Sequence, residues 1–305
     1  MSARHTLSLL TRRFREVGIR PVTRFGQNFL IDNNLQRLLI DAAELGPQDV
    51  VLEVGTGTGA LTALIADRVA AVVSVEIDRH LFEMASEELI GRANVTLLHL
   101  DALANKNRID PQVLRALAER VEETPPQRWK LVANLPFNIA TPVVSNLLSA
   151  PAAPAAPATM TVTIQKELAD RIMAPPSTKA YGALSIWMQS QCHTRLVRVL
   201  PPTVFWPRPK VTSAIIHVVV DQERRHRIPD LTYWHQFVRA MFWHRRKFLR
   251  SVMLGAFKQV LSKADVDAIL QQVHLGPQTR AEEVDIATMA NLCEEVRGRA
   301  PAWRL

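Results

Sequence analysis

Asn134-Leu135-Pro136-Phe137 supplies, in four consecutive residues, what a reaction at an exocyclic amine requires. The nitrogen lone pair of such an amine is delocalised into its ring. A site must therefore hold the amine by its hydrogens and turn the lone pair towards an electrophile. The side-chain oxygen of Asn134 and the backbone carbonyl of Leu135, fixed by Pro136, can accept those two hydrogens. The ring of Phe137 can stack on a base that has been extruded from its helix, the usual route to such atoms. With an activated donor, alignment and charge placement do most of the work, so no general base is assigned. The matching chemistry is methyl transfer from a sulfonium.

A second cluster, Glu53-Val54-Gly55-Thr56-Gly57-Thr58-Gly59, is rich in glycine, which lets a backbone pass close to a ligand. NAD enzymes carry similar turns, but their G-x-G-x-x-G spacing would place a third glycine at position 60, which is Ala60. About 20 residues on, Val75-Glu76-Ile77-Asp78 puts a carboxylate where it can accept from both ribose hydroxyls of an adenosyl group. Asp101, in Leu100-Asp101-Ala102, is placed to accept from an adenine amine.

These loops need elements to position them. Apolar residues at helical spacing run from Asn33 to Glu44 behind an Asp32/Asn33 cap. Short apolar strands are expected at Val50 to Val54, Ala71 to Val75, Val95 to Leu100, Leu131 to Ala133 and Met160 to Ile164. Helices are expected at Leu61 to Val69, Leu81 to Leu89 and Thr141 to Leu148. Strands alternating with amphipathic helices indicate an α/β fold with a doubly wound, Rossmann-like parallel sheet. Residues 105–128 hold a helix and the Pro125-Pro126 break, and 150–158, with Pro151, Pro154 and Pro157, reads as a surface loop. After Pro229 strand signals vanish and three or four helical patterns run to the end. The expected division is a catalytic domain over 1–228, with a basic lead-in over 1–25, and a smaller helical domain over 229–305.

The chain of 305 residues needs no disulfide or metal staple to stabilise a core. Its formal charge of +8 fits either a polyanionic partner, nucleic acid or an acidic membrane surface, or a generally basic soluble enzyme. Cys192 and Cys293 are far apart and in no Cys-x-x-Cys pattern, so no disulfide framework or zinc site is expected and a reducing compartment fits. No apolar run approaches the roughly 18 residues of a membrane-spanning helix. Arg4, Arg12, Arg13, Arg15 and Arg20 accompany a single acid, Glu16. That stretch reads either as an organellar transit peptide or as a short basic helix that touches RNA. Arg245, Arg246 and Lys247 follow a helical pattern beside Arg239, Arg250 and Trp243, a cluster that either neutralises phosphates or forms a solvated face. Arg208 and Lys210 lie in a Pro-rich loop that can flank an entering strand.

Taken in order, these segments resemble the small-subunit ribosomal RNA adenine dimethyltransferases. Phe25-Gly26-Gln27-Asn28-Phe29-Leu30 resembles that family's opening motif, and Glu53 to Gly59, Glu76, Asp101 and Asn134 to Ile139 resemble the motifs that follow. Gln165-Lys166-Glu167, Tyr181 to Ser185, Pro207 to Ser213, Phe242 to Lys247 and Arg280 to Glu283 also match, so the likeness runs from about residue 17 to 290. It implies a class I methyltransferase sheet with a helical C-terminal domain. It also implies S-adenosyl-L-methionine as cofactor, contacted by Gln27, Asn28, Leu30, Glu53, Gly55, Gly57, Gly59, Glu76, Ile77, Asp101, Ala102 and Asn134. Arg208, Lys210, Arg245, Arg246 and Lys247 would meet RNA. The implied activity is N6,N6-dimethylation of two adjacent adenines in the 3′-terminal hairpin of small-subunit rRNA, within a pre-ribosomal particle, by a cytoplasmic monomer without metal or membrane. Modification of large-subunit rRNA, as macrolide-resistance enzymes perform on this scaffold, is the nearest alternative. A nucleotide-dependent oxidoreductase and a non-catalytic RNA-binding assembly factor are further ones. Gly18-Ile19-Arg20-Pro21 resembles the family's lead-in, which favours the basic helix over a transit peptide. Three departures stand out: Phe137 for the usual tyrosine, Thr56 for a proline, and a long 105–128 segment.

Overall fold

The computed structural model describes residues 11–12, 14–15, 26–125, 128–149 and 155–305. Most of the expected basic lead-in, including Arg4, Arg13, Glu16 and Gly18 to Pro21, lies outside the described residues, as do Phe25, Pro126, Pro151 and Pro154. Two compact units divide the chain. The first runs to Ala169 and resumes over Arg195–Val220; the second takes Asp170–Thr194 and Asp221–Leu305.

The first unit is built on a seven-stranded sheet. Its strands in chain order are β1 (Val50–Val54), β2 (Ala71–Glu76), β3 (Val95–His99), β4 (Trp129–Asn134), β5 (Thr159–Gln165), β6 (Cys192–Leu200) and β7 (Ser213–Val220). They lie in the order β3-β2-β1-β4-β5-β7-β6. β1 to β5 pair in parallel, while β7 runs antiparallel to β5. Every residue of β1 and β2 is buried, as expected of a parallel strand covered on both faces. That double burial is why these strands read as unbroken apolar runs rather than alternating ones. β6 and β7 were not among the expected strands; β6 interrupts its apolar residues with His193, Thr194, Arg195 and Arg198, a weaker signal.

Helix α1 (Asn33–Ala42) is capped by the Asp32 carboxylate, which accepts from the backbone of Asn34 and Leu35. Its Leu39 and Ile40 join Leu61 and Ile65 of α2 (Ala60–Ala66) against Val51, Val72, Val132 and Ile215 of the sheet. Helix α3 (Arg79–Glu88) follows β2 behind an Asp78 cap, and α4 (Pro111–Glu122) packs on β1 and β2. The long 105–128 segment therefore contributes a sheet-covering helix, begun by Asp110 as cap and Pro111 in its first turn.

The second unit is helical. Leu231–Met241, Leu249–Ala256, Lys263–Gln272 and Ile286–Arg299 are its four main C-terminal helices. It also takes in 170–194, which the linear division had grouped with the catalytic part. The reason is side-chain packing. The Trp187 and His235 rings meet at 4.5 Å in a tilted arrangement, the Trp234 indole donates to Ser190, and the buried Tyr181 hydroxyl donates to the Val284 carbonyl.

At the amino-terminal edge of the sheet Lys130 is nearly buried, with its ammonium 2.9 Å from the fully buried Asp49 carboxylate. The same ammonium donates to the carbonyls of Ala43 and Glu44 just past α1, where the helix dipole also favours a cation. Removing one partner of a buried pair leaves an uncompensated charge, at a typical cost of about 3–5 kcal/mol. Lys130→Met is expected to destabilise the protein by about 3 kcal/mol, the low end because Arg128 still reaches Asp49. Urea unfolding at unchanged m-value checks it.

Candidate active site

Strand order reverses between β1 and β4, and doubly wound sheets bind ligands at the carboxyl ends of strands where this happens. β1 and β4 are hydrogen-bonded neighbours, so the loops that leave them emerge side by side. The first loop is the glycine cluster and the second is the Asn134 corner. Between them lies a cleft of about 230 Å³.

Of the expected cofactor residues, Gln27, Asn28, Leu30, Glu53, Gly55, Gly57, Glu76, Ile77, Asp101, Ala102 and Asn134 all line this cleft. Gly59 does not. It caps α2 at φ +82°, where an added Cβ would meet the Ala85 backbone of α3 at 3.3 Å, so it serves helix packing. Gly55 and Gly57 also have positive φ. A Cβ at Gly55 would lie 3.0 Å from Pro136, so the glycine loop rests directly on the Asn134 corner.

The segment 26–31 closes the cleft from the other side. A Cβ on Gly26 would collide with Asn138 at 2.6 Å. The Asn134 side-chain amide donates to the Asn28 carbonyl at 2.8 Å. This bond settles which way the carboxamide faces, and its buried oxygen is left with no hydrogen-bond partner among the described residues. Gln27 reaches the carboxylate of Asp78 at 3.3 Å, which ties the segment to the start of α3. Asn28 therefore contributes through its carbonyl as well as its position, and Gly26 through its missing side chain.

The acids differ sharply in environment. Glu53 is fully buried. Thr62 and Ser74 both donate to its Oε2, at 2.5 and 2.7 Å, and Thr56 lies 2.6 Å from Ser74. Because Ser74 spends its one proton on Glu53, Thr56 must donate to Ser74. Glu53 Oε1 is buried with no partner among the described residues. Burial pushes this carboxyl up to about 8 against the pull of the Thr62 and Ser74 hydroxyls. Glu76 is pushed by burial up to about 7, while backbone donors from Asp78 and Gly57 pull it down. Those donors lie at 2.9 and 2.8 Å, so Glu76 holds the glycine loop in place. Asp101 is exposed and accepts from the Leu103 backbone. Ile77 presents an apolar side chain, 39% exposed, to the cleft.

Sequence reasoning missed the hydroxyls of Thr62, Ser74 and Thr56 and the carbonyl of Asn28. Ser74 alone carried a signal, as the one short polar residue inside the apolar run of β2.

Leu135 is buried, with its N–H donating to Thr163 of β5 at 3.2 Å. Phe137 is half-buried and lies edge-on to Phe205 at 6.3 Å, outside the cleft lining. Arg208 and Lys210 are exposed on the loop before β7. In the second unit, residues 242–247 form a turn between two helices, not part of a helix as their pattern suggested. Arg246 and Lys247 are exposed there, whereas Arg245 is engaged by Glu282 and by the Thr178 carbonyl. No group of His, Cys, Asp and Glu side chains among the described residues could hold a metal ion. None of the described helices is long and apolar enough to cross a membrane.

The model of the family described as ribosomal RNA adenine dimethylase matches residues 20–297. Ribosomal RNA small subunit methyltransferase A of Streptococcus pneumoniae strain CGSP14 is 36% identical over 279 residues, covering 90% of this chain and 91% of that protein. A dimethyladenosine transferase from Plasmodium falciparum shares the fold with a TM-score of 0.70 at 22% identity, over 88% of this chain and 97% of that one. The 23S rRNA methyltransferase ErmE follows with a TM-score of 0.61 and 26% identity, over 88% and 98%.

The buried Glu53 makes stability depend on pH in a defined direction. At low pH it is protonated in folded and unfolded chains alike. Between its ordinary value of 4.5 and about 8 only the unfolded chain ionises it, so folding loses stability as pH rises through that window. Glu53→Gln is expected to match the wild type near pH 4 and to exceed it by roughly a few kcal/mol at pH 9. Urea unfolding of both proteins at pH 4, 7 and 9 measures the gap.

Proposed function

The chain belongs to the ribosomal RNA adenine dimethylase family, and on that footing we propose that it transfers methyl groups from S-adenosyl-L-methionine to N6 of two adjacent adenines near the 3′ end of small-subunit rRNA. It is a methyltransferase of ribosomal RNA. The small-subunit substrate is supported by the relative from Streptococcus pneumoniae, which aligns over nine-tenths of both chains. Large-subunit modification and oxidoreductase chemistry are not favoured. The substrate would be met in a pre-ribosomal particle in the cytoplasm, by a monomer.

The residues lining the cleft fit the cofactor. Gly55 and Gly57 leave room where a Cβ would meet Pro136 or the Phe29 ring, and Ile77 gives an apolar platform for an adenine. Glu76 would accept from the ribose hydroxyls and Asp101 from the adenine amine. The unpartnered Oε1 of Glu53 would accept from the cationic amino-acid end, whose positive charge would draw this buried carboxyl into its ionised form. When bound, the cofactor supplies a methyl group already activated on a sulfonium.

The observation that carries the reading is the buried, unpartnered side-chain oxygen of Asn134. An acceptor left without a partner is costly in a folded protein and is explained by a donor that arrives with substrate. The Asn28 carbonyl holds the amide end at 2.8 Å, so the oxygen cannot turn away. With the Leu135 carbonyl it would grip both hydrogens of the target amine and aim the lone pair into the cleft. Phe137, lacking the phenol usual in the family, would hold the base by stacking alone.

Asn134→Ala is expected to lower methylation by at least about a hundredfold, since it removes the acceptor for the amine, and to weaken cofactor binding as well, since it also releases the Asn28 carbonyl of the cleft-lining segment. Mass spectrometry of the 3′-terminal fragment of undermethylated small-subunit rRNA, before and after incubation, reads both the product and the loss. Label transferred only to large-subunit rRNA would refute the substrate assignment.

A further inference from the structure

The chain has six tryptophans. Trp129, Trp187, Trp234 and Trp303 are buried, and Trp206 is half-buried between Phe14 and Phe29. Trp243 is 66% exposed. A single exposed apolar ring carries no meaning by itself, so a reason for it has to come from what surrounds it.

Its surroundings supply one. Trp243 lies in the 242–247 turn between the helices Leu231–Met241 and Leu249–Ala256. The turn is fixed along its length. The Trp243 N–H donates to the Ala240 carbonyl, Lys247 N–H to His244, and Leu249 N–H to Thr279. Arg245 is clamped by Glu282 and the Thr178 carbonyl. Two acids here already have cationic partners, Glu282 on Arg245 and Asp267 on Arg250. His244, Arg246 and Lys247 in the turn, and Arg239 one helical turn before it, stand exposed.

We propose that Trp243 is a stacking platform for an unpaired nucleobase of the substrate RNA, set beside Arg246 and Lys247, whose contact with RNA the family resemblance already implies. The inference rests on the RNA substrate proposed above. An indole offers a flat face that any base can stack on, and cations beside it hold the backbone that carries the base. A protein-docking anchor would instead sit among apolar neighbours with charges depleted around it, which is the reverse of this turn. The one other exposed aromatic nearby, Phe248, has its ring covered by the Arg280 guanidinium at 5.7 Å. Because the backbone of the turn is already hydrogen-bonded, little of it would need ordering when the base arrives.

The two halves of the proposal differ in salt dependence, because an indole releases no counterions and a phosphate contact does. The test is binding of the full chain to undermethylated small ribosomal subunits across a salt series. Cofactor binding serves as a check that each variant is folded. Trp243→Ala is expected to weaken binding about 5- to 150-fold with the slope of log K against log salt unchanged. Trp243→Phe should recover most of that loss and Trp243→Leu little of it. Arg246→Ala with Lys247→Ala should lower the slope by about 1.5. Trp243→Ala within twofold of the wild type, or Leu as good as Phe, overturns the stacking role alone. A wild-type chain that binds and methylates no small-subunit rRNA overturns the functional reading and this one with it.

Discussion

One hydrogen bond organises the site: the Asn134 side-chain amide to the Asn28 carbonyl. An asparagine side chain presents a donor at one end and an acceptor at the other. Occupying the donor leaves the acceptor committed, buried and without a partner among the described residues. The orientation is then prepared before any substrate arrives, which is where an enzyme relying on alignment gains most. The bond spans 106 residues of sequence, so nothing local to the Asn134 corner could have set it.

Close packing brings the participants to that geometry. Three glycines act by what they lack: Gly26 lets Asn138 approach, Gly55 lets Pro136 approach, and Gly57 lets the Phe29 ring approach. The glycine loop, the Asn134 corner and the segment 26–31 are therefore in van der Waals contact, and a shift in one is felt by the others. Beneath them the carboxyl groups of Glu53 and Glu76 are held in poorly solvated positions by hydroxyl and backbone donors. Burial is the largest cause of their raised pKa values, a neighbouring carboxylate adds to it in each case, and acids perturbed in this way cluster at functional sites.

The basic cluster of the second unit shows how charge is divided between structure and surface. Of Arg245, Arg246 and Lys247, consecutive in sequence and alike in type, Arg245 is spent on Glu282 and Thr178. It shapes the turn that presents the other two. Sequence proximity grouped the three together because charge type is visible in a sequence and ion-pair partners, here 37 residues away, are not.

Much of the first unit was legible because parallel strands buried on both faces leave continuous apolar runs, and because glycine and proline mark the loops between them. β1 to β5, α1 and the order of the loops could be read this way. The types of the groups that line the cleft were also determined by sequence: Asn134 and Pro136, the glycine loop, and the acids at positions 53, 76 and 101. Tertiary structure decided the rest. It set Asn134 by a distant carbonyl, diverted Gly59 to helix packing, placed Phe137 against Phe205 and joined 170–194 to the helical unit. Each of these depends on partners far along the chain, and a sequence records which residues are present but not which of them folding brings together.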